Sequence, residues 1–190
     1  SLGDVMLTRE EALKLVKKNV TKRNFVYHML AVEAIMKSVA KHFGEDECLW
    51  GLTGLLHDID YGKTENTPEK HALLAEEILK EFVLPNELIR AIKAHNYQYT
   101  QIKPETRMEK ALIACDAISG LLVACALVMP SKKLTDVNVE TVTKKFKAKD
   151  FARGVDRERI LLCEEIGIPR EKFFEIALDG LKNISTKIGL

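Results

Sequence analysis

Residues Ala111 to Met129 read ALIACDAISGLLVACALVM, an almost unbroken apolar run that contains one carboxylate, Asp116. Its length approaches the ~20 residues a membrane-spanning helix requires. Against a span stand the cost of a carboxylate in lipid, the interruption at Ser119-Gly120, and the lack of a second such run in the sequence. The run is therefore read as a buried core helix. An unpaired carboxylate among Leu112, Ile113, Ala117 and Leu121 would cost several kcal/mol or become neutral. A cation resolves that conflict. A buried pair with Arg or Lys, a hydrogen-bonded Asp, or a place on the polar edge of the stripe are the alternatives.

Outward from this run the periodicity is helical nearly everywhere, and no strand alternation stands out. Thr106 to Glu109 forms a capping box in front of the apolar helix, and Met129-Pro130 stops it. Thr8 to Glu11 is a second box, predicting a helix over Arg9 to Val20. A further helix spans about Lys22 to Phe43, with Gly44 able to supply the left-handed residue that ends it. Asp46-Glu47 opens a helix that runs to His57-Asp58 and into the loop Asp60 to Thr67. Thr67-Pro68-Glu69 reads as a cap with proline at the first helical position, placing His71 in the first turn of the next helix. A short helix after Pro85 carries His95 toward its end. Further helices are predicted near Val139 to Ala148, Asp156 to Gly167 and Arg170 to Ile188. No internal repeat or low-complexity linker interrupts the chain.

The 190 residues suit one domain able to bury a core without disulfides or a structural metal. A net charge of +1 with 30% charged residues gives a global field that selects neither nucleic acid nor an anionic membrane. Cys48, Cys115, Cys125 and Cys163 are widely spaced in apolar helical contexts and read as reduced core residues of a cytoplasmic protein. No export signal is evident at the start.

Asp116 is the last of an ordered set of ionisable residues: His28, the pair His57-Asp58, His71, His95 and Asp116. Each histidine alone could be an ordinary core or surface residue. His42, in the last turn of its helix, is such a case, because the helix dipole suffices to explain it. Together, imidazole nitrogens and carboxylate oxygens suit borderline divalent metals, and six such residues can hold two ions if one carboxylate bridges.

This order resembles the HD superfamily of metal-dependent phosphohydrolases, with Leu55-Leu56-His57-Asp58-Ile59 matching the signature motif. The likeness spans about Phe25 to Leu122. It implies an all-α fold, a single HD-domain helical bundle with ligands from separate helices around a central metal-binding cleft. On that reading residues 1–190 form one domain, with a metal-binding core at about 22–129 and a C-terminal helical extension at about 131–190. The resemblance further implies that His28, His57, Asp58 and Asp116 hold a first metal, and that Asp58 bridges to a second held by His71 and His95.

The sequence departs from the His-Asp-Ile-Gly branch, running Asp58-Ile59-Asp60-Tyr61-Gly62-Lys63. Lys63 is a phosphate ligand and catalytic candidate only if the loop absorbs two extra residues. The Gly-Tyr-Pro signature of cyclic-di-GMP phosphodiesterases is absent, as are long insertions expected of dNTP triphosphohydrolases or guanosine tetraphosphate hydrolases. The segment Lys144 to Glu158 is similar to the C-terminal part of small bacterial HD proteins. Lys144, Lys145, Lys147 and Lys149 suit a solvated basic face, while Lys149 or Arg153 reaching the cleft would grip a phosphate. Tyr97 and Tyr99 suit either a stacking or a surface-to-core role. Asp60, and after it Glu65, is a candidate for orienting ligands or transferring protons.

The functional expectation is hydrolysis of a phosphate ester of a nucleotide or another small phosphorylated metabolite, by a metal-activated water oriented by Asp58. One or two divalent transition-metal ions are expected, with Fe, Mn, Co, Ni and Zn all suited. The expected partner is a small phosphorylated substrate, with no nucleic acid polymer and no membrane; the oligomeric state is open. An HD-fold di-iron oxygenase using the same ligands, and a catalytically silent nucleotide-binding sensor module, are the alternatives.

Overall fold

The computed structural model describes residues 7–190, so the first six positions of the expected 1–190 domain lie outside the described residues. The described chain is helical and contains no strand. Its helices are α1 (Arg9–Asn19), α2 (Arg23–Phe43), α3 (Glu47–Leu56), α4 (Tyr61–Thr64), α5 (Leu73–Leu79), α6 (Asn86–His95), α7 (Tyr97–Thr100), α8 (Arg107–Leu127), α9 (Val139–Lys147), α10 (Arg157–Ile160), α11 (Leu162–Glu165) and α12 (Arg170–Lys182). Short 3-10 turns occupy Pro68–Lys70, Leu134–Asp136 and Ser185–Ile188.

Both capping boxes and the Gly44 stop form as predicted, whereas Thr67 makes no side-chain cap. Thr8 and Glu11 close a capping box on α1, Thr106 and Glu109 close one on α8, and Gly44 ends α2 at φ 70°. Glu109 also accepts from Arg90, tying α6 to the start of α8. Burial opposes ionisation of Glu109, but Arg90 and the backbone N–H groups of Glu105 and Thr106 outweigh it and hold the carboxyl below its ordinary range.

α2 is the central column. Its Met29 joins an apolar cluster with α1, α3, α5 and α6, while Val32, Ile35, Met36 and Val39 join a second cluster with α8, α9 and α12. α8 is long and apolar enough to cross a membrane, yet 61% of its most apolar window is buried inside the protein. That burial accounts for its composition without lipid. Two glycines let helices approach α2 closely. A Cβ on Gly54 would lie 2.9 Å from the Val32 carbonyl oxygen, and one on Gly180 would lie 2.9 Å from that of Ala34.

Three predicted elements differ. The helix expected to begin at Thr67 is instead a 3-10 turn, then His71 in extended conformation and Ala72 at φ 75°, with α5 beginning at Leu73. The buried Asp60 carboxylate accepts from Ala72 N at 2.6 Å and Ala75 N at 2.9 Å, so it caps α5 from outside that helix. The helix expected over Asp156 to Gly167 is two short pieces, α10 and α11, divided at Leu161. The last helix ends at Lys182 and yields to a 3-10 turn.

Because the α2–α3 approach leaves no room for a methyl group against backbone, Gly54→Ala is expected to destabilise the protein by about 1–3 kcal/mol. Urea denaturation measures this, and an unchanged midpoint would contradict the close approach.

Candidate metal centre

The six predicted ligands come from five places in the fold. His28 lies on α2, His57 is the residue that ends α3 with Asp58 next, His71 precedes α5, His95 is the last residue of α6, and Asp116 lies mid-way along α8. The structure brings all six side chains together. Potential ligand atoms of His28, His57, Asp58 and Asp116 lie within 4.8 Å of one another, as do those of Asp58, His71 and His95.

Asp58 belongs to both groups through different oxygens. Its Oδ2 is 3.3 Å from His28 Nε2 and 3.5 Å from His57 Nε2, while Oδ1 is 3.0 Å from His71 Nε2 and 3.2 Å from His95 Nε2. Asp116 Oδ1 completes the first group, 2.7 Å from His28 Nε2 and 3.2 Å from His57 Nε2. Asp116 is a quarter exposed, so it opens onto a cleft.

The other ring nitrogen of each histidine is held outside the cluster. His57 Nδ1 donates to the Gly54 carbonyl at 2.6 Å, and His95 Nδ1 donates to the Ile92 carbonyl. His71 Nδ1 donates to Asp60 Oδ1 at 2.6 Å. Ser119 donates its hydroxyl proton to the Asp116 carbonyl, leaving its oxygen to accept from His28 Nδ1 at 3.2 Å. These partners fix the tautomers so that four Nε2 atoms face inward, the arrangement that outer partners impose on metal-binding histidines. His71 Nε2 and His95 Nε2 lie 2.9 Å apart, a contact that needs a positive charge or a proton between them.

The electrostatics express the same demand. Burial opposes a charged His28, yet hydrogen bonds and negative charge from Asp116 and Asp58 push it up to about 10. Burial is likewise overcome at His71, where Asp58 and Asp60 push it up to about 10. His57 is raised against its burial by Asp58 and Asp116. Burial would raise both acids, but the surrounding imidazoles hold Asp58 and Asp116 well below the carboxylate range. Carboxylates that stay ionised beside inward-facing imidazole nitrogens are a donor set for borderline divalent ions.

The remaining predicted site residues fall elsewhere. Asp60 is fully buried, and its oxygens are engaged by His71, Ala72 and Ala75, so it positions His71 and does not reach substrate. Of the two roles expected of Asp60, its place behind His71 fits the orienting of a ligand. Lys63 is corrected: the segment folds into α4, turning this exposed lysine toward α1, where it donates to Asn19 at 2.8 Å. Glu65 pairs with Lys22 at the surface. Lys149 and Arg153 are exposed in the turn between α9 and α10, with no hydrogen bond or ion pair to the cluster. The cation beside the cluster is Arg159, which shares a 350 Å³ cavity with His28 and Asp116. Nothing in composition or spacing distinguishes it from its basic neighbours.

Arg157 explains how that cavity wall is built. Its guanidinium donates to the carbonyls of Lys145, Phe146, Ala148, Phe151, Ala152 and Val155, folding the intervening chain around itself. Gly154 and Val155 are thereby held on the cavity rim.

A family model described as HD domain matches residues 25–120. Among curated relatives, ribonuclease Y of Lawsonia intracellularis is 31% identical over 98 residues, covering 52% of this chain and 18% of that protein. Ribonuclease Y of Desulfotalea psychrophila is 27% identical over 142 residues, covering 73% of this chain and 26% of that protein. That of Aliarcobacter butzleri is 34% identical over 98 residues, covering 52% of this chain and 18% of that protein. The chain thus spans about a quarter or less of the curated relatives it matches. No solved structure matches. The expectation that nucleic acid polymers are excluded is overturned by these relatives, which are ribonucleases by name. A near-neutral net charge describes a whole chain and does not forbid RNA at one cleft.

Asp60→Asn removes the anionic acceptor behind His71 while keeping its shape. It is expected to weaken metal affinity at the His71–His95 half by about 10–100-fold. Competition with a chelator measures this, and unaltered affinity would contradict the positioning role.

Proposed function

The chain belongs to the HD domain family of metal-dependent phosphohydrolases, and from that premise we propose that it hydrolyses a phosphate ester of a nucleotide, free or at the end of an RNA chain, using two divalent ions. The observation that carries the two-ion reading is Asp58, whose oxygens face two separate imidazole pairs. His28, His57, Asp58 and Asp116 would hold one ion, and Asp58, His71 and His95 the other. The donor set suits Fe, Mn, Co, Ni or Zn. Ions bound there supply Lewis acidity toward a phosphoryl oxygen and lower the pKa of water from about 15.7 toward about 7.

The chain's own part is positioning. The Gly54 and Ile92 carbonyls, Ser119 and Asp60 keep all four Nε2 atoms aimed at the centre, where a bound cation would take the place of a proton. Asp58 and Asp116 remain anionic there. The partial exposure of His28 and Asp116 leaves one side of the cluster open to a phosphate, while buried His57 and His95 close the other. A cytoplasmic setting is part of the proposal, supported by four free thiols, three of them buried.

Metal analysis together with phosphate release tests the reading. Wild-type protein is expected to hold two ions and release phosphate from a nucleotide without oxygen, which separates hydrolysis from oxygenase chemistry. Asp58→Ala is expected to lose both ions and turnover, and His95→Ala to keep one ion. Two ions retained by Asp58→Ala would defeat the proposal.

A further inference from the structure

Two cavities meet at the open side of the cluster. One is the 350 Å³ cavity containing Arg159; the other, of 540 Å³, lies between α2 and α8 and is closed by Ile188 to Leu190. Both include His28 and Gly120 in their walls, whereas the grooves of 690 and 470 Å³ elsewhere include none of the six cluster residues. Helical spacing creates the second cavity: Arg23, Asn24, Tyr27 and His28 share one face of α2, and Gly120, Val123 and Leu127 share one face of α8. Gly120 keeps the shared ridge low, since even its Cβ would lie 3.3 Å from Val155.

The two cavities differ in chemistry. Arg159 is held in place, not left free to sweep through solvent: its guanidinium lies 5.0 Å from the Tyr97 ring centroid and donates to the His95 carbonyl at 2.9 Å. Those contacts leave further N–H groups of its planar fork for an anion. Asp156 stands on the same wall: its Oδ1 caps α10 by accepting from Glu158 N and Arg159 N, and its Oδ2 lies 3.6 Å from Arg159 Nε, which leaves the terminal nitrogens of the guanidinium for an anion. The larger cavity is mostly apolar along Tyr27, Val123, Leu127 and Ile188, with hydrogen-bonding groups at Arg23 and Asn24. Its volume falls in the range of small-molecule pockets, about 300–1,000 Å³. A polyol would lose hydration there without replacement, whereas a flat ring system with polar edges meets an aromatic face, aliphatic walls and two polar side chains.

Resting on the hydrolytic reading of the same site, we propose that the two cavities form one bipartite substrate site: Arg159 grips the phosphate beside the cluster, and the α2–α8 cavity takes the attached nucleoside. The nucleoside phosphate is either a free nucleotide or the phosphorylated end of an RNA chain.

The test uses metal-loaded protein, with calorimetry of inorganic phosphate, adenosine monophosphate and a 5′-phosphorylated oligoribonucleotide, and kinetics that include glycerol 3-phosphate. Arg159→Ala is expected to keep its metal content and melting temperature while weakening inorganic phosphate and raising KM for every ester by roughly 10-fold or more. Arg159→Lys is expected to restore part of this, and kcat to change less than KM. Val123→Phe, and Leu127→Trp at the half-exposed rim, should weaken adenosine monophosphate while leaving inorganic phosphate and glycerol 3-phosphate unchanged. Binding of the oligoribonucleotide with the same sensitivity to these two variants places a chain end in the cavity; adenosine monophosphate alone showing it places a free nucleotide there. Unchanged phosphate affinity in Arg159→Ala, or equal losses for glycerol 3-phosphate and adenosine monophosphate in the cavity variants, would overturn the proposal. Calorimetry needs no turnover, so failure of wild-type protein to hydrolyse any ester would sink the hydrolytic reading separately.

Discussion

Two carboxylates, Asp58 and Asp116, converge on shared imidazoles at the seam between two apolar clusters, and this concentration of negative charge must be met by positive charge for the helices to close around it. In a medium of low polarity an unmatched carboxylate would become neutral or push the surrounding elements apart. α2, α3, α6 and α8, with the turn before α5, each contribute a side chain to the same point, so the packing of the bundle and the chemistry of the site are one arrangement.

The imidazoles can serve because their outward nitrogens are already committed. Backbone carbonyls one turn earlier hold the rings at the ends of α3 and α6, so helix termination itself orients His57 and His95. His71 lies outside regular helix and depends on Asp60. That residue links two tasks, since the same carboxylate that steadies His71 also starts α5. The left-handed Ala72 between them is local strain held by those hydrogen bonds.

Much of this was legible in the sequence because caps and periodicity are local properties. Capping boxes at Thr8 and Thr106, the stop at Gly44 and the apolar stripe of α2 each express short-range physics, and they placed five of the ligands on the correct elements. His71 was set one element too late because its helix begins under a cap supplied by Asp60, eleven residues upstream. Lys63, from the loop after His57-Asp58, and Lys149 or Arg153, from the basic stretch after α9, are phosphate candidates on sequence alone, and Lys63 instead donates to Asn19. Arg159 lies beside the cluster because it sits on α10, which the turn after α9 delivers there. An arginine's reach is a tertiary property, and composition cannot rank one basic residue above another.

The loop between α9 and α10 is gathered by the Arg157 guanidinium at the start of α10, on which backbone oxygens converge, while Phe151, Ala152 and Val155 pack against the apolar core. Much of its shape is therefore written in main-chain atoms, with Arg157 and the inward-packed Phe151, Ala152 and Val155 as its side-chain contributions. Residues on the outer surface of the loop, Lys149 and Arg153 among them, are at liberty to change sign or size while the rim at Gly154 and Val155 keeps its contour. An added or deleted residue, by contrast, would shift several carbonyls off their donors at once, so this stretch should tolerate recolouring of its exterior far better than any change in its length.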